Sequence, residues 1–129
     1  MDNVKRIVVL DDDPDIGIMI KMMLEFKGYE VTVIDRAEKI KDTIREVRPS
    51  MVIMDMLLSG RNGMDVCQEL KNESSTATVP VMMMSAHPNA KDTCLKAGAN
   101  AFIAKPFDMQ ELLGKVTDLI EADTVQGRQ

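Results

Sequence analysis

Five short apolar runs recur along this chain, and between them the spacing of apolar residues switches to a helical period. The runs are IVVL (7–10), YEVTVI (29–34), MVIM (51–54), VMMM (81–84) and AFIA (101–104). They are too short for buried helices, and four are apolar without alternation, the mark of strands covered on both faces. The second run alternates and is β-branched, also a strand pattern. After the first run, Ile16, Met19, Ile20, Met23 and Leu24 form one apolar helix stripe. Ile40, Ile44 and Val47 mark a second helix, Met64, Cys67 and Leu70 a third, and residues 90–97 a fourth. Leu112, Leu113, Val116, Leu119 and Ile120 mark the last. The punctuation agrees. Asp13-Pro14 reads as an N-cap with proline at the first helical position, Gly28 and Gly98 close helices, Pro49 ends another, and DMQE (108–111) resembles a capping box.

Strands alternating with helices require right-handed crossovers, so the sheet is parallel and covered on both sides. The expected fold is α/β, a doubly wound five-stranded parallel sheet in the order 2-1-3-4-5. The 129 residues fit one domain, spanning 1–122, with 123–129 as a C-terminal tail. On such a sheet ligands bind outside the carboxyl ends of the strands, beside the switch point between the first and third. At those ends the sequence supplies Asp11-Asp12-Asp13, Asp55, Ser85 and Lys105-Pro106.

Adjacent carboxylates repel, and desolvating any of them is costly. Asp13 is accounted for as the helix cap, which leaves Asp11, Asp12 and Asp55 converging on one crevice. Oxygen ligands in that number suit a hard divalent cation, Mg2+, which takes one or two carboxylates and keeps several waters. Asp55, alone at the end of its strand, reads as a nucleophile toward phosphorus. Lys105 supplies a point positive charge for phosphoryl oxygens, and Ser85 a hydroxyl donor.

Composition narrows the surroundings. A net charge of −5 argues against nucleic acid or an anionic membrane as a partner. Two cysteines, Cys67 and Cys94, both lie in helical patterns, and with a single His they read as buried free thiols rather than zinc ligands. No apolar run approaches the ~18 residues of a membrane span, and the first residues lack the apolar core of a signal peptide. A cytoplasmic location is expected. With 12 Met and no Trp, flexible thioethers fill much of the core.

The acidic pair Asp11-Asp12, Asp55, Gly63 eight residues later, Ser85 and KPF (105–107) together resemble the receiver domain of two-component response regulators, over about residues 5–122. That resemblance implies a flavodoxin-like (βα)5 fold and phosphorylation of Asp55 by a sensor histidine kinase or a histidine phosphotransfer protein. It implies Mg2+ held by Asp12, Asp55 and the backbone carbonyl of Leu57, with Asp11 acting mostly through metal-bound water. Ser85 and Phe102 would form a switch pair, and Leu57 and His87 would frame the water that removes the phosphoryl group, although His87 by itself reads as an exposed loop residue. The fourth helix, fifth strand and fifth helix would face an output protein or a phosphorylation-dependent dimer partner. Such a domain is a phosphoacceptor that assists its own phosphotransfer and autodephosphorylation, and is not an enzyme with its own substrate. Ser59 departs from the family pattern, which usually has proline there.

Two other readings stand beside it. Asp11-x-Asp13 resembles the nucleophile motif of Mg2+-dependent phosphohydrolases of the haloacid-dehalogenase type, with Asp11 carrying phosphate, although Asp15 stands where that motif has a small residue. The chain also fits the amino-terminal part of a longer transcription factor; as given, it has no basic helix-turn-helix segment.

Overall fold

The computed structural model describes residues 4–87 and 89–127, from 123 onward by backbone alone. Along the chain run β1 (Arg6–Leu10), α1 (Pro14–Phe26), β2 (Glu30–Ile34), α2 (Ile40–Val47) and β3 (Met51–Asp55). There follow β4 (Leu57–Leu58), β5 (Arg61–Asn62), α3 (Gly63–Asn72), β6 (Val81–Ser85), α4 (Ala90–Lys96), β7 (Ala101–Ala104) and α5 (Met109–Gly127). The five apolar runs form one parallel sheet in the order β2-β1-β3-β6-β7. This is the order expected for a flavodoxin-like fold. Helix α5 continues past residue 122 into the segment read as a tail, and residues 128–129 lie outside the described residues.

Successive strand residues point to opposite faces, and the core divides accordingly. Val8, Leu10, Val52, Met54 and Met83 pack on one face with Ile40 and Ile44 of α2, Val66, Cys67 and Leu70 of α3, and Cys94 of α4. Ile7, Val9, Ile53, Met82 and Met84 pack on the other with Ile20 and Leu24 of α1 and Leu112 and Val116 of α5. Each fully buried aliphatic or Met side chain contributes about 1.5–3 kcal/mol, so the central strands are stabilised from both faces. Cys67 and Cys94 are buried free thiols, and burial pushes both thiols up from their ordinary range. Among the described residues no helix is long and apolar enough to cross a membrane.

The caps form as the sequence indicates. Asp13 Oδ1 accepts the Asp15 N–H at 3.0 Å, and Asp108 Oδ1 accepts the Glu111 N–H at 2.7 Å. Gly28, at φ 101°, ends α1 in a left-handed turn that few side chains tolerate.

Helix α1 departs from its expected stripe. Ile20 and Leu24 are buried, but Met19 is 41% exposed and joins Ile18, Met22 and Phe26 on an outward apolar face. The reason is Gly17, where a Cβ would lie 2.8 Å from Val33 Cγ1. The helix seats on the sheet along Gly17, Ile20 and Leu24, which turns Met19 toward solvent. Two short features lay below the resolution of the sequence pattern. One is a 3-10 turn, Ala37–Lys39, ahead of α2; the other is the antiparallel β4–β5 hairpin, turned at Gly60 with φ 75°.

Candidate functional site

Strand register brings the candidate groups together. Leu10 pairs with Met54, Asp55 with Met84, and Ser85 with Ala104. The residues leaving β1, β3, β6 and β7 therefore stand in a row along the carboxyl edge. Asp11, Asp55 and Ser85 are buried, and Asp12 and Lys105 are half-buried. Lys105 Nζ lies 2.9 Å from Asp55 Oδ2 and 3.5 Å from Asp11 Oδ2. Its backbone N–H donates to the Ser85 carbonyl at 2.9 Å, which fixes the end of β7 against β6.

Each carboxylate is oriented by donors from the chain that follows it. Asp11 Oδ1 accepts the Asp13 N–H at 2.9 Å, and Asp55 Oδ1 accepts the Leu57 N–H at 3.2 Å. Asp12 Oδ2 accepts both the backbone N–H and the hydroxyl of Ser59. Desolvation by burial pushes the Asp11 carboxyl above its ordinary range, against the Asp13 N–H that lowers it. Burial alone would lower Lys105, but its hydrogen bond and charge contact with Asp55, aided by Asp11, outweigh this and raise it. Lys105 is therefore an ammonium at neutral pH.

Asp11, Asp12 and Asp55 each offer a carboxylate oxygen within 4.8 Å of the others. An all-oxygen set of this kind fits a hard divalent cation and suits neither zinc nor copper, which favour nitrogen and sulfur. Gly63 explains why the loop after Asp55 can curl so tightly. Its N–H donates to the Met56 carbonyl at 2.8 Å, and a Cβ there would fall 2.4 Å from the Asp55 carbonyl oxygen. No side chain fits.

The remaining expected residues differ in their burial. Ser85 Oγ accepts the His87 N–H at 2.9 Å, and His87 Nδ1 accepts the Asn89 N–H at 3.2 Å. His87 itself is exposed, Leu57 is 69% exposed, and Phe102 is half-buried against the core. Ser59 as a partner of Asp12 is the residue that sequence reasoning missed. The Ser-Gly pair that turns the hairpin was a signal for the turn, but nothing in the pattern pointed its donors at Asp12.

The structure thus presents a doubly wound sheet with a lysine-contacted carboxylate cluster at its switch point. Residues 7–117 match the family model of the response regulator receiver domain, and the chain belongs to that family. It is 36% identical over 114 residues to the DNA-binding response regulator MtrA of Mycolicibacterium smegmatis, covering 87% of this chain. It is 32% identical to the transcriptional regulator RpaA of Synechocystis sp., over 89% of this chain. The chain spans about half the length of these curated relatives, 49% and 48%. Among solved structures, NtrX from Brucella abortus superposes with a TM-score of 0.89 at 26% identity, over 97% of this chain and 29% of that one. The signal receiver domain of a histidine kinase from Syntrophus aciditrophicus gives 0.84 at 26% identity, covering 92% of each chain. The chain is thus a receiver domain of two-component response regulators. None of these matches supports the phosphohydrolase reading with Asp11 as nucleophile.

Proposed function

We propose that Asp55 accepts a phosphoryl group from a phosphohistidine on a sensor kinase or histidine phosphotransfer protein, and that this switches what the domain binds. The observation that carries the reading is the contact of Lys105 with Asp55 inside the carboxylate cluster at the switch point. An Asp55 oxygen attacks phosphorus in line with the donor nitrogen. The O–P bond forms as the P–N bond breaks, and its electron pair stays on the imidazole nitrogen. Asp12, Asp55 and the Leu57 carbonyl would hold Mg2+, with Asp11 in its outer shell; when bound, the ion supplies positive charge to the phosphoryl oxygens.

Lys105 exchanges its carboxylate partner for a phosphoryl oxygen as Asp55 becomes an acyl phosphate. The Ser85 hydroxyl accepts from His87 N–H and keeps its own proton to donate to the phosphoryl group, and the Phe102 ring follows inward. The output surface is α4, β7 and α5, open to a protein target or a phosphorylation-dependent dimer. With a net charge of −5 the domain acts through proteins, without direct nucleic-acid or membrane contact, in the cytoplasm. It assists its own phosphotransfer and its own dephosphorylation. Intact-mass spectrometry after incubation with acetyl phosphate and Mg2+ tests the assignment. One added phosphoryl group is expected, absent in Asp55→Asn with the fold retained. Persistent labelling of Asp55→Asn, lost in Asp11→Asn, would overturn it.

A further inference from the structure

Ser59 sits in the turn of the β4–β5 hairpin, far from Asp12 in sequence, yet it donates twice to one oxygen of that residue. Its backbone N–H lies 2.9 Å from Asp12 Oδ2, and its hydroxyl binds the same oxygen. Proline, usual at this place in the resembled family, has no N–H and no hydroxyl. Hydrogen bonds to a carboxylate are charge-assisted and stronger than neutral ones. Two of them on Oδ2 hold the side chain in one orientation and leave Oδ1 with open lone pairs.

We infer that Ser59 is a positioning residue for Asp12, holding its carboxylate ready for the divalent cation and tying the hairpin to the same group. The inference rests on the Mg2+ site proposed above. Two effects compete. Donors withdraw some charge from the carboxylate, which weakens its pull on a cation. They also fix a half-exposed side chain that would otherwise lose rotamer freedom on binding. Outer-shell donors to metal-ligating carboxylates favour the metal in general, and their loss weakens binding about 10–100-fold. Orientation therefore wins. The hairpin gains as well: Leu57, whose N–H already binds Asp55 Oδ1, is drawn to the same pocket from its other end.

Calorimetric titration with MgCl2 at fixed ionic strength, on wild type, Ser59→Ala, Ser59→Thr and Ser59→Pro, tests this. Ser59→Pro is expected to weaken Mg2+ binding about tenfold or more, Ser59→Ala less, and Ser59→Thr to stay near wild type. Far-UV circular dichroism checks that each variant is folded, and Ala against Thr decides the matter even where Pro disturbs the hairpin. Wild-type affinity or tighter binding in Ser59→Ala, with normal binding in wild type, overturns the inference and leaves the proposed function standing. Absence of Mg2+ binding in wild type overturns both.

Discussion

Lys105 Nζ stands 2.9 Å from Asp55 Oδ2 and 3.5 Å from Asp11 Oδ2, so one ammonium offsets two buried carboxylates. Among the described residues, its removal leaves both without an ion-pair partner. Lys105→Met is expected to lower stability in chelator by about 1–3 kcal/mol, the range for a buried group stripped of its partner. It should also slow phosphorylation by acetyl phosphate by roughly tenfold or more, because a charge aimed at the phosphoryl oxygens is lost. Urea unfolding with and without Mg2+ checks the first part. If the ion does not recover more stability in the variant than in wild type, Lys105 is not sharing its task with a cation.

Asp11 gives the opposite sign. Burial holds its folded carboxyl above the ordinary 3.8, so the folded state keeps this proton more readily than the unfolded chain. Its contribution to stability is fully present below that ordinary value and is lost as pH rises through the higher folded one. Above that window the ionised group destabilises the metal-free domain. Asp11→Asn, which keeps an oxygen for the Asp13 N–H, should stabilise the chelated protein by on the order of 1 kcal/mol at pH 7. The gain should vanish toward pH 3. A gain that is flat with pH would rule out ionisation as its source.

At Gly63 two effects differ in size. Alanine improves helix propensity by up to about 1 kcal/mol, but its Cβ would meet the Asp55 and Met56 carbonyl oxygens at 2.4 and 2.8 Å. Both are backbone atoms and cannot swing aside. Gly63→Ala should therefore destabilise by about 1–3 kcal/mol net and slow phosphorylation of Asp55, measured by denaturant midpoint and by mass. Unchanged values would mean that α3 shifts freely, and that the loop after Asp55 is not held by this contact.

In the proposed function, phosphoryl lifetime depends on a water in line with the bond to Asp55. Leu57 has no group to orient one, and the His87 ring is engaged by the Asn89 N–H. Slow decay is expected, with Leu57→Asn and His87→Glu together accelerating it roughly tenfold or more, since positioning terms are of this size. Following phosphoprotein after donor removal measures it. Rapid wild-type decay that Leu57→Asn leaves unchanged would sink the idea.

The sheet was legible because strands covered on both faces leave uninterrupted apolar runs, and their order follows from crossover handedness. The residues leaving the strand ends followed from that order. Less visible were contacts made by backbone donors. Asp12 and Ser59 are joined through a hairpin whose strands have two residues each, too short for any periodicity to register. Met19 leaves the expected stripe for a related cause. The i, i+3, i+4 pattern gives the apolar side chains of α1 but not how the helix is rotated, and rotation is decided by Gly17, which has no side chain to count.

That glycine has a wider effect. By letting α1 rest directly against Val33, it acts as a fulcrum, with Ile20 and Leu24 on the inner arm and Ile18, Met22 and Phe26 on the outer. The inner arm governs whether the domain folds. The outer arm, 66% exposed at Met22 and 77% at Phe26, governs how readily the folded domain sticks to other surfaces. Polar replacements there change solubility while moving unfolding by no more than about 0.5 kcal/mol. Stickiness and stability are thus set by opposite sides of one helix, and each can be altered without the other.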